Sequence, residues 1–166
     1  MKYNKNSEFF RINQDILSNS SFNKLKQLSH HGINRYDHSL SVAYISYKIA
    51  KFLKLDYHQV ARGALLHDFF DTDYQAGLKG RFRAIVRHPN LAVSNAEILF
   101  GLEKKERDII QTHMFPLSTF YPGYKESWLV NGVDKVISVY EVTYVLTYRM
   151  NYATSILKLF LINLLR

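Results

Sequence analysis

Apolar residues recur at spacings of three and four over most of the chain, and no segment alternates cleanly between apolar and polar residues. This periodicity predicts α-helices rather than β-strands. The clearest helix spans residues 36–55, and a histidine lies on its apolar face. The residues predicted to form the inward stripe of this helix are His38, Val42, Ile45, Ile49 and Phe52.

A second helix is predicted from Tyr57 to about Phe69. It contains three small residues, Ala61, Gly63 and Ala64, which would let a neighbouring helix approach closely.

A third helix is predicted to begin with Pro89 in its first turn, where a missing backbone N–H is tolerated. It would run to about Phe100 and stop at Gly101, because glycine commonly follows the last helical residue. This assignment places His88 at the N-terminus of the helix.

A fourth helix is predicted over about residues 103–114, with Ile109, Ile110, His113 and Met114 on its apolar face and Pro116 as the residue that ends it. Residues 115–132 contain two prolines and two glycines and are predicted to form mainly a loop. A long final helix is predicted to begin near Asp134. Its stripe would consist of Val133, Ile137, Tyr140 and Tyr144. The pattern as a whole predicts an all-α helical bundle.

The chain has 166 residues and a hydrophobic fraction of 47%, which suits one domain with a packed core. We assign residues 1–166 to one domain, with a core at about residues 35–150 and a packing or interface helix at about residues 151–166. The apolar run in this last helix is too short to span a bilayer and contains Lys158. The residues expected to pack against the bundle or a partner chain are Ile156, Leu157, Leu159, Phe160, Leu164 and Leu165.

The composition limits which metal ligands and which partners the chain can have. The chain has no cysteine, which excludes a disulfide scaffold and thiolate metal sites and leaves histidine and carboxylate as the strong metal ligands. The first residues lack the apolar run of a signal peptide, so a cytoplasmic location is expected. A net charge of +8 favours anionic partners. The cations are scattered and no RNA-binding motif accompanies them, so nucleic acid is the weaker alternative to a small phosphorylated molecule.

Four histidines and two aspartates lie on the inward faces or at the ends of the predicted helices. A single histidine on an apolar face is usually a hydrogen-bonded core residue. Burying all six groups together without a compensating charge would cost several kcal/mol per unpaired ion, and a divalent cation removes that cost. The six residues are His38, His67, Asp68, His88, His113 and Asp134.

The adjacent pair His67-Asp68 is the sharpest single feature. Neighbouring side chains on a helix point about 100° apart and do not ordinarily chelate one ion from mid-helix, but they can do so at a helix end. If Asp68 bridges two ions, both of its oxygens are used. The alternative is a local hydrogen-bonded pair at the end of a helix.

The order His38, His67-Asp68, Asp134, set in the segments RYDHSLSVAYISYKIA and ARGALLHDFF, resembles the HD superfamily of metal-dependent phosphohydrolases over about residues 35–141. The resemblance implies a helical bundle in which these four residues bind a divalent metal. It further implies a second ion bound by two additional histidines, with Asp68 as the bridge. The additional histidines are His88 and His113.

The chain also differs from one subgroup of that superfamily. Phe69-Phe70-Asp71 follows the pair where the HD-I-G-x-K type has glycine and lysine, and no GYP tripeptide occurs downstream. These differences argue against cyclic-dinucleotide phosphodiesterase activity.

By this resemblance the protein would be a phosphohydrolase in which hydroxide generated at the metal attacks a phosphate ester or anhydride, with Asp68 and His67 as catalytic residues. The expected cofactor is one or two divalent ions, with iron or manganese favoured over zinc, cobalt, nickel or magnesium. The expected substrate is a small phosphorylated molecule such as a nucleotide. Candidates for contacting its phosphate are Arg35, Arg87, Lys125 and Lys135.

Two other functions remain open at the level of sequence. One is a metal-containing HD protein that binds a ligand or regulates a partner without turnover. The other is a basic helical protein that binds nucleic acid, with structural histidines. A homodimer is compatible with either, since Tyr140, Tyr144 and Tyr148 suit core or dimer contacts as well as stacking on a base.

Overall fold

Eight α-helices form most of the part of the chain described by the computed structural model, which covers the backbone of residues 7–30, 33–70 and 78–164. Side chains are described for residues 7–28, 33–70 and 86–155. Three short helices and a 3₁₀ turn come first, at α1 (Glu8–Ile12), α2 (Gln14–Ser18), α3 (Ser20–Asn23) and Lys24–Gln27.

A small antiparallel ribbon, β1 (Ser29–His30) paired with β2 (Ile33–Asn34), leads into the main helices. These are α4 (Arg35–Phe52), α5 (Tyr57–Leu66), α6 (Leu78–Phe100), α7 (Lys104–Thr112) and α8 (Lys125–Leu164). The predicted all-α class is confirmed. Within the described ranges, no helix has both the length and the apolar character needed to cross a membrane.

Side-chain caps fix where three of the main helices begin. Asn34 accepts a hydrogen bond from the backbone N–H three residues later at 2.8 Å, and Asp56 does the same at 3.2 Å. Glu103 and Glu106 form a reciprocal capping box at the start of α7. The cap of α4 places His38 one turn into that helix.

Helices α5 and α7 cross closely at Gly63. A Cβ atom on this residue would lie 3.1 Å from the Cβ of Ile109 and 3.2 Å from the Cα of Glu106. The small residues predicted to permit a close approach therefore do so at this position. Leu65 and Ile110, on the same two helices, have no exposed surface and lie in the core.

The helices before residue 35 also contribute to the core. Phe9, Ile16 and Phe22 are fully buried, and the ring of Phe9 meets that of Tyr44 on α4 edge-on at 5.3 Å. The ring of Phe22 lies 5.9 Å from that of Phe69. These three residues extend the packed core beyond the span of about residues 35–150 that the sequence indicates.

Helix α6 begins well before the predicted start at Pro89. The helix starts at Leu78, so Pro89 lies in its interior and His88 lies mid-helix rather than at the N-terminus. Proline removes only one hydrogen bond of the ladder, the one to the carbonyl four residues earlier. Burial of the face that carries Ala92 and Ala96 offsets this loss.

Helix α8 begins at Lys125, so the prediction of a loop through Gly132 and a helix from about Asp134 is wrong by about nine residues. The helical turn before Gly132 is stabilised by burial of Ser127 and Val130 on its inward face. One continuous helix then extends through residues 151–164. The predicted packing of Ile156 and the apolar residues after it concerns side chains outside the described residues.

Two predicted stripes need correction at their ends. Phe52 on α4 is 84% exposed, and Tyr140 and Tyr144 on α8 are 66% and 62% exposed. The inward face of α8 continues from Ile137 to Glu141 instead, because positions four and seven residues apart share a helix face. This places a carboxylate inside the bundle.

Candidate metal centre

Five helices and their ends bring the six predicted ligands into one buried cluster. His38 projects from the first turn of α4, and His67 is the residue that ends α5, with Asp68 next to it. His88 comes from the middle of α6, His113 ends α7, and Asp134 lies on α8. All six are buried, and the most exposed of them, Asp134, is 7% exposed.

The first group of ligand atoms surrounds Asp134. Its Oδ1 lies 3.0 Å from Nε2 of His38 and 3.6 Å from Nε2 of His67. One ligand atom from each of these residues lies within 4.8 Å of the others, which is the arrangement of a three-ligand metal site. The group contains three of the four residues predicted for the first metal site, namely His38, His67 and Asp134.

The second group shares His67 with the first and adds Asp68 and His113, again with ligand atoms within 4.8 Å of one another. The two oxygens of Asp68 face different partners. Oδ2 lies 3.9 Å from Nε2 of His67, whereas Oδ1 lies 3.5 Å from Nε2 of His88 and 3.7 Å from Nε2 of His113. This division is the geometry that a bridging carboxylate requires.

His67 and His113 are oriented by the ends of their own helices. Nδ1 of His67 donates to the carbonyl of Ala64 at 2.7 Å, and Nδ1 of His113 donates to the carbonyl of Ile110 at the same distance. Because a carbonyl can only accept, Nδ1 carries the proton in both rings. The lone pair is then on Nε2, which points into the cluster and is the form that binds metals.

His38 is oriented by a carboxylate that the sequence prediction missed. Its Nδ1 lies 2.9 Å from Oε2 of Glu141, while its Nε2 faces Asp134. Glu141 is 7% exposed and lies seven residues after Asp134, on the same face of α8. This seven-residue spacing is the feature of the sequence that could identify Glu141. The predicted inward stripe of the helix contains Tyr140 and Tyr144 instead.

The buried imidazoles and carboxylates of the cluster shift one another's pKa values. Burial would lower the pKa of His38, but hydrogen bonds to Asp134 and Glu141 outweigh it and raise the pKa to about 10. Burial and the neighbouring His88 lower the pKa of His113 to about 3. Burial would raise the pKa of Asp134, yet its hydrogen bond to His38 and the nearby His67 hold that pKa well below the ordinary value. Asp134 is therefore an anion beside a neutral His113.

The donor set passes a simple test for a metal site. Nε2 of His67 is buried and has no hydrogen-bond partner. An imidazole lone pair in that position would normally be satisfied, because an unpaired buried polar atom costs about 1–3 kcal/mol. His88 and His113 bring their Nε2 atoms to 2.9 Å, aimed at the same space beside Asp68. A divalent cation satisfies these nitrogens together with the carboxylates.

The four predicted phosphate contacts occupy different environments. Arg35 is 2% exposed, donates from Nη1 to the carbonyl of Phe70 at 2.5 Å, and places its guanidinium carbon 3.8 Å from the centre of the Phe70 ring. The Phe70 ring also stacks on the ring of His88, which belongs to the cluster, with centroids 5.0 Å apart. Arg35 therefore adjoins the centre through one aromatic ring.

Lys135 lies on α8 and is half-buried beside the C-terminal end of α7. It donates to the backbone carbonyls of His113 at 3.2 Å and of Asn131 at 3.4 Å, and burial lowers its pKa. Arg87 and Lys125 are exposed, and no contact between them and the cluster is recorded among the described side chains. The structure thus brings two of the four cations to the edge of the centre.

A cavity of about 270 Å³ adjoins the Phe69-Phe70 segment that follows the candidate ligands His67 and Asp68. Asn95 borders it and donates to the carbonyl of Phe69 at 3.2 Å. The other lining residues are Ser21, Lys24, Leu25, Leu28, Phe70, Ile98 and Leu99. Phe70 is common to the cavity and to the ring stack beside His88.

A family model described as an HD domain matches residues 35–136 of the chain. The match begins at Arg35 and contains all six candidate ligands. Neither the curated proteins nor the solved structures contain a match to the chain.

Proposed function

The chain belongs to the HD-domain family, and on that premise we propose that it is a metal-dependent phosphohydrolase that cleaves a phosphate ester or anhydride. The observation that carries the proposal is the pair of three-ligand groups that share His67. His67 offers a buried nitrogen without a hydrogen-bond partner to both groups.

We assign two ion positions to this chain. His38, His67 and Asp134 would hold the first, with Asp68 beside them, and Asp68, His88 and His113 would hold the second. Nitrogen and carboxylate donors suit iron or manganese, with zinc, cobalt, nickel and magnesium as alternatives. A divalent cation supplies Lewis acidity at this position, which activates water and neutralises phosphoryl oxygens.

The chain's own groups prepare this position. Backbone carbonyls hold His67 and His113 in the tautomer that leaves Nε2 free of a proton. Glu141 orients the ring of His38 by accepting from its Nδ1, and a metal ion would replace the proton on the Nε2 that faces Asp134. Burial excludes bulk water from the ligand atoms, so the charges act through a medium of low dielectric. The arrangement limits the motion of each ligand before any ion arrives.

Arg35 is the best-placed group for the phosphate of a substrate. Its guanidinium is buried, its Nε has no hydrogen-bond partner, and no carboxylate in the described part of the chain pairs with it. Guanidinium and phosphate match in geometry and charge. Arg35 would hold a phosphate oxygen of the substrate next to the Phe70 ring, one aromatic ring away from His88 and the ions.

We propose a nucleotide as the substrate class. The net charge of +8 attracts polyanions, and the cavity next to Phe70 combines apolar walls with Lys24, Ser21 and Asn95. A base and sugar need that mixture of apolar and hydrogen-bonding surface.

The test combines metal analysis with turnover. We expect the purified protein to contain a divalent metal and to hydrolyse a chromogenic phosphoester, followed by selected nucleotides. Asp68→Asn keeps the size of the side chain but removes the charge that faces both groups, so turnover should fall by at least about 100-fold and metal content should drop. The matched control is Asp37→Asn, which alters an exposed carboxylate on α4.

The outcomes separate the alternatives. Metal without turnover on any phosphoester or nucleotide would leave a ligand-binding HD protein. A well-folded protein that neither contains metal nor is stabilised thermally by Mn, Fe, Ni or Zn would reject the metal centre itself. Full turnover in Asp68→Asn would reject the bridging role.

A further inference from the structure

Helix α8 carries the metal centre on one face and an apolar seam on the opposite face. Asp134, Ile137 and Glu141 are buried on the inner face. At about 100° per residue, Val136 and Val139 point to the other side of the helix, and they are 70% and 64% exposed. The exposed side is therefore as apolar as a face that normally packs against another element.

We infer that this seam pairs with the same seam of a second copy of the chain, as a two-stranded coiled coil. The residues follow one another at alternating spacings of three and four, which is the heptad pattern of such pairs. The seam consists of Val136, Val139, Thr143, Leu146, Met150, Ala153, Leu157, Phe160 and Leu164. The last three are assigned from sequence spacing alone.

The length and composition of the seam support pairing. It continues over about four heptads, which is the length at which a heptad pattern becomes a strong indication of a coiled coil. Leu146 and Met150 are 53% and 69% exposed in the single chain. Burial of large apolar side chains of this kind is the main driving force for association between helices.

The seam's one polar residue causes no difficulty in such an interface. The hydroxyl of Thr143 bonds to carbonyls of its own helix, that of Val139 at 2.9 Å and that of Tyr140 at 2.8 Å. Thr143 can therefore be buried in a pair without leaving an unsatisfied hydrogen-bond donor.

The helix itself needs a partner in this region. From residue 142 to residue 155, every side chain except Val145 is exposed. The segment is rich in threonine, tyrosine and valine, which are weak helix formers. Helices of this kind are stabilised mainly by packing of an apolar face, and here that face is the seam.

The flanks of the seam favour a copy of the same chain over a different helix. Coiled coils select partners through charges at the two positions that flank the seam. In residues 136–155 those positions are Tyr140, Val142, Thr147, Arg149 and Thr154. Arg149 is the one charged residue among them, so no charge pattern selects a partner of opposite sign. Symmetric dimers are also the commonest assemblies of identical chains.

Sedimentation of the full chain tests the pairing. We expect a dimer at micromolar concentration and at least a tenfold loss of dimer affinity in Leu146→Glu, because a carboxylate in the seam would be buried without a partner. The matched control is Tyr148→Glu. Tyr148 is 68% exposed but lies on the side of α8 away from the seam, so this variant should remain a dimer. Circular dichroism shows that each variant is folded.

A cysteine pair gives an independent measurement, because the chain has no cysteine of its own. Met150 lies at the midpoint of the seam, so Met150→Cys places two thiols near each other whether the helices run parallel or antiparallel. A short thiol-specific crosslinker should join Met150→Cys efficiently and Tyr148→Cys poorly. A monomeric wild-type chain, equal effects of the two glutamate variants, or equal crosslinking at the two positions would overturn the inference. So would a monomer that co-sediments with phosphatidylglycerol vesicles, which would assign the seam to a membrane surface.

Discussion

Single hydrogen bonds on the outer side of three imidazoles decide which ring nitrogen faces the candidate metal centre. His67 and His113 use the last carbonyls of their own helices, and His38 uses Glu141. The first two partners are backbone atoms that no substitution removes. Glu141 is a side chain, so its contribution can be measured.

We predict that Glu141→Ala lowers metal affinity by about 10–100-fold, because His38 loses the acceptor that fixes its ring and increases its basicity. Glu141→Gln should cost less, since an amide oxygen still accepts from Nδ1 but carries no charge. Calorimetric titration with a metal ion measures the metal affinity of both variants. Glu97→Gln on the exposed face of α6 is the control, and an equal effect there would contradict the assignment.

Glu8 provides a prediction about pH. Its carboxylate accepts hydrogen bonds from Lys51 and from Tyr47, and these lower its pKa from 4.5 to about 2. A lowered pKa stabilises the fold above the ordinary value, and this contribution is lost as pH falls through the folded-state value. The stability difference between wild type and Glu8→Gln should therefore be constant near neutral pH and vanish between pH 4.5 and about 2. Urea unfolding over a pH series checks this, and a difference that persists at pH 2 would contradict it.

The sequence identifies ligands better than it identifies the residues that orient them. The six candidate ligands are chemically distinctive, and burying them together requires an explanation. Glu141 and Asn131 have ordinary surface chemistry and acquire their roles only through contacts distant in sequence. Asn131 donates to the carbonyl of His113 at 2.7 Å and of Phe115 at 2.9 Å. No local pattern encodes those distances.

At the scale of elements, helices α5 and α7 cross closely at Gly63. We predict that Gly63→Val destabilises the protein by about 1–3 kcal/mol, because the added methyl groups overlap Ile109 and the backbone at Glu106. Since His67 and His113 end these helices, metal affinity should fall as well. Thermal unfolding and metal titration measure the two effects.

A substitution at Gly132 serves as a control, because it should raise the stability of the protein rather than lower it. No atom lies within 4 Å of a Cβ built on this residue, and it is inside α8. Gly132→Ala should therefore stabilise the helix by about 0.5–1 kcal/mol through reduced backbone freedom in the unfolded chain. Similar destabilisation by both substitutions would show that the crossing is not the cause.

The sequence predicts correctly that the main helices exist, but it misplaces the starts of α6 and α8. The apolar spacing over α4, α5 and α7 is strong enough to define these helices. Pro89 and Gly132 are residues that usually mark boundaries, yet both lie inside long helices. Packing of neighbouring turns outweighs an unfavourable local preference, and that balance depends on the tertiary structure.

At the scale of the whole molecule, Arg62 joins the N-terminal helices to the bundle. Its Nε donates to Glu106 at 2.9 Å, and its Nη1 donates to Asp15 at 2.8 Å and to the carbonyl of Ile12 at 3.2 Å. The carboxylate of Glu106 is buried, whereas Asp15 is largely exposed. The two pairs should therefore differ in strength.

We predict that Arg62→Ala destabilises the protein by about 3 kcal/mol, because it leaves Glu106 buried without its charged partner. Asp15→Asn should cost less than about 1 kcal/mol, as is usual for an exposed pair. Adding Glu106→Gln to Arg62→Ala should restore part of the loss. Chemical unfolding of the single and double variants measures this coupling, and additive losses would contradict it.

The fold class and family follow from the sequence because helical periodicity and the order of the ligands are both visible in it. The positions of the candidate cations do not follow. Arg87 and Lys125 are as near in sequence to a ligand or a helix start as Arg35 is, but they are exposed, whereas Arg35 is buried against Phe70. Only the folding of α4 against the segment after α5 distinguishes them.

The peptide dipoles at the helix ends produce electrostatic potentials of opposite sign on two sides of the candidate metal centre. Helices α5 and α7 both finish at the cluster, and each C-terminus carries roughly half a negative elementary charge from aligned peptide dipoles. Helix α4 begins there, with Arg35 as its first residue, so its N-terminus adds positive potential on the Phe70 side. Peptide dipoles therefore attract cations at one edge of the centre and anions at the other. A phosphorylated molecule entering this field would be turned with its charged oxygens toward Arg35 and the cations, before any contact selects it.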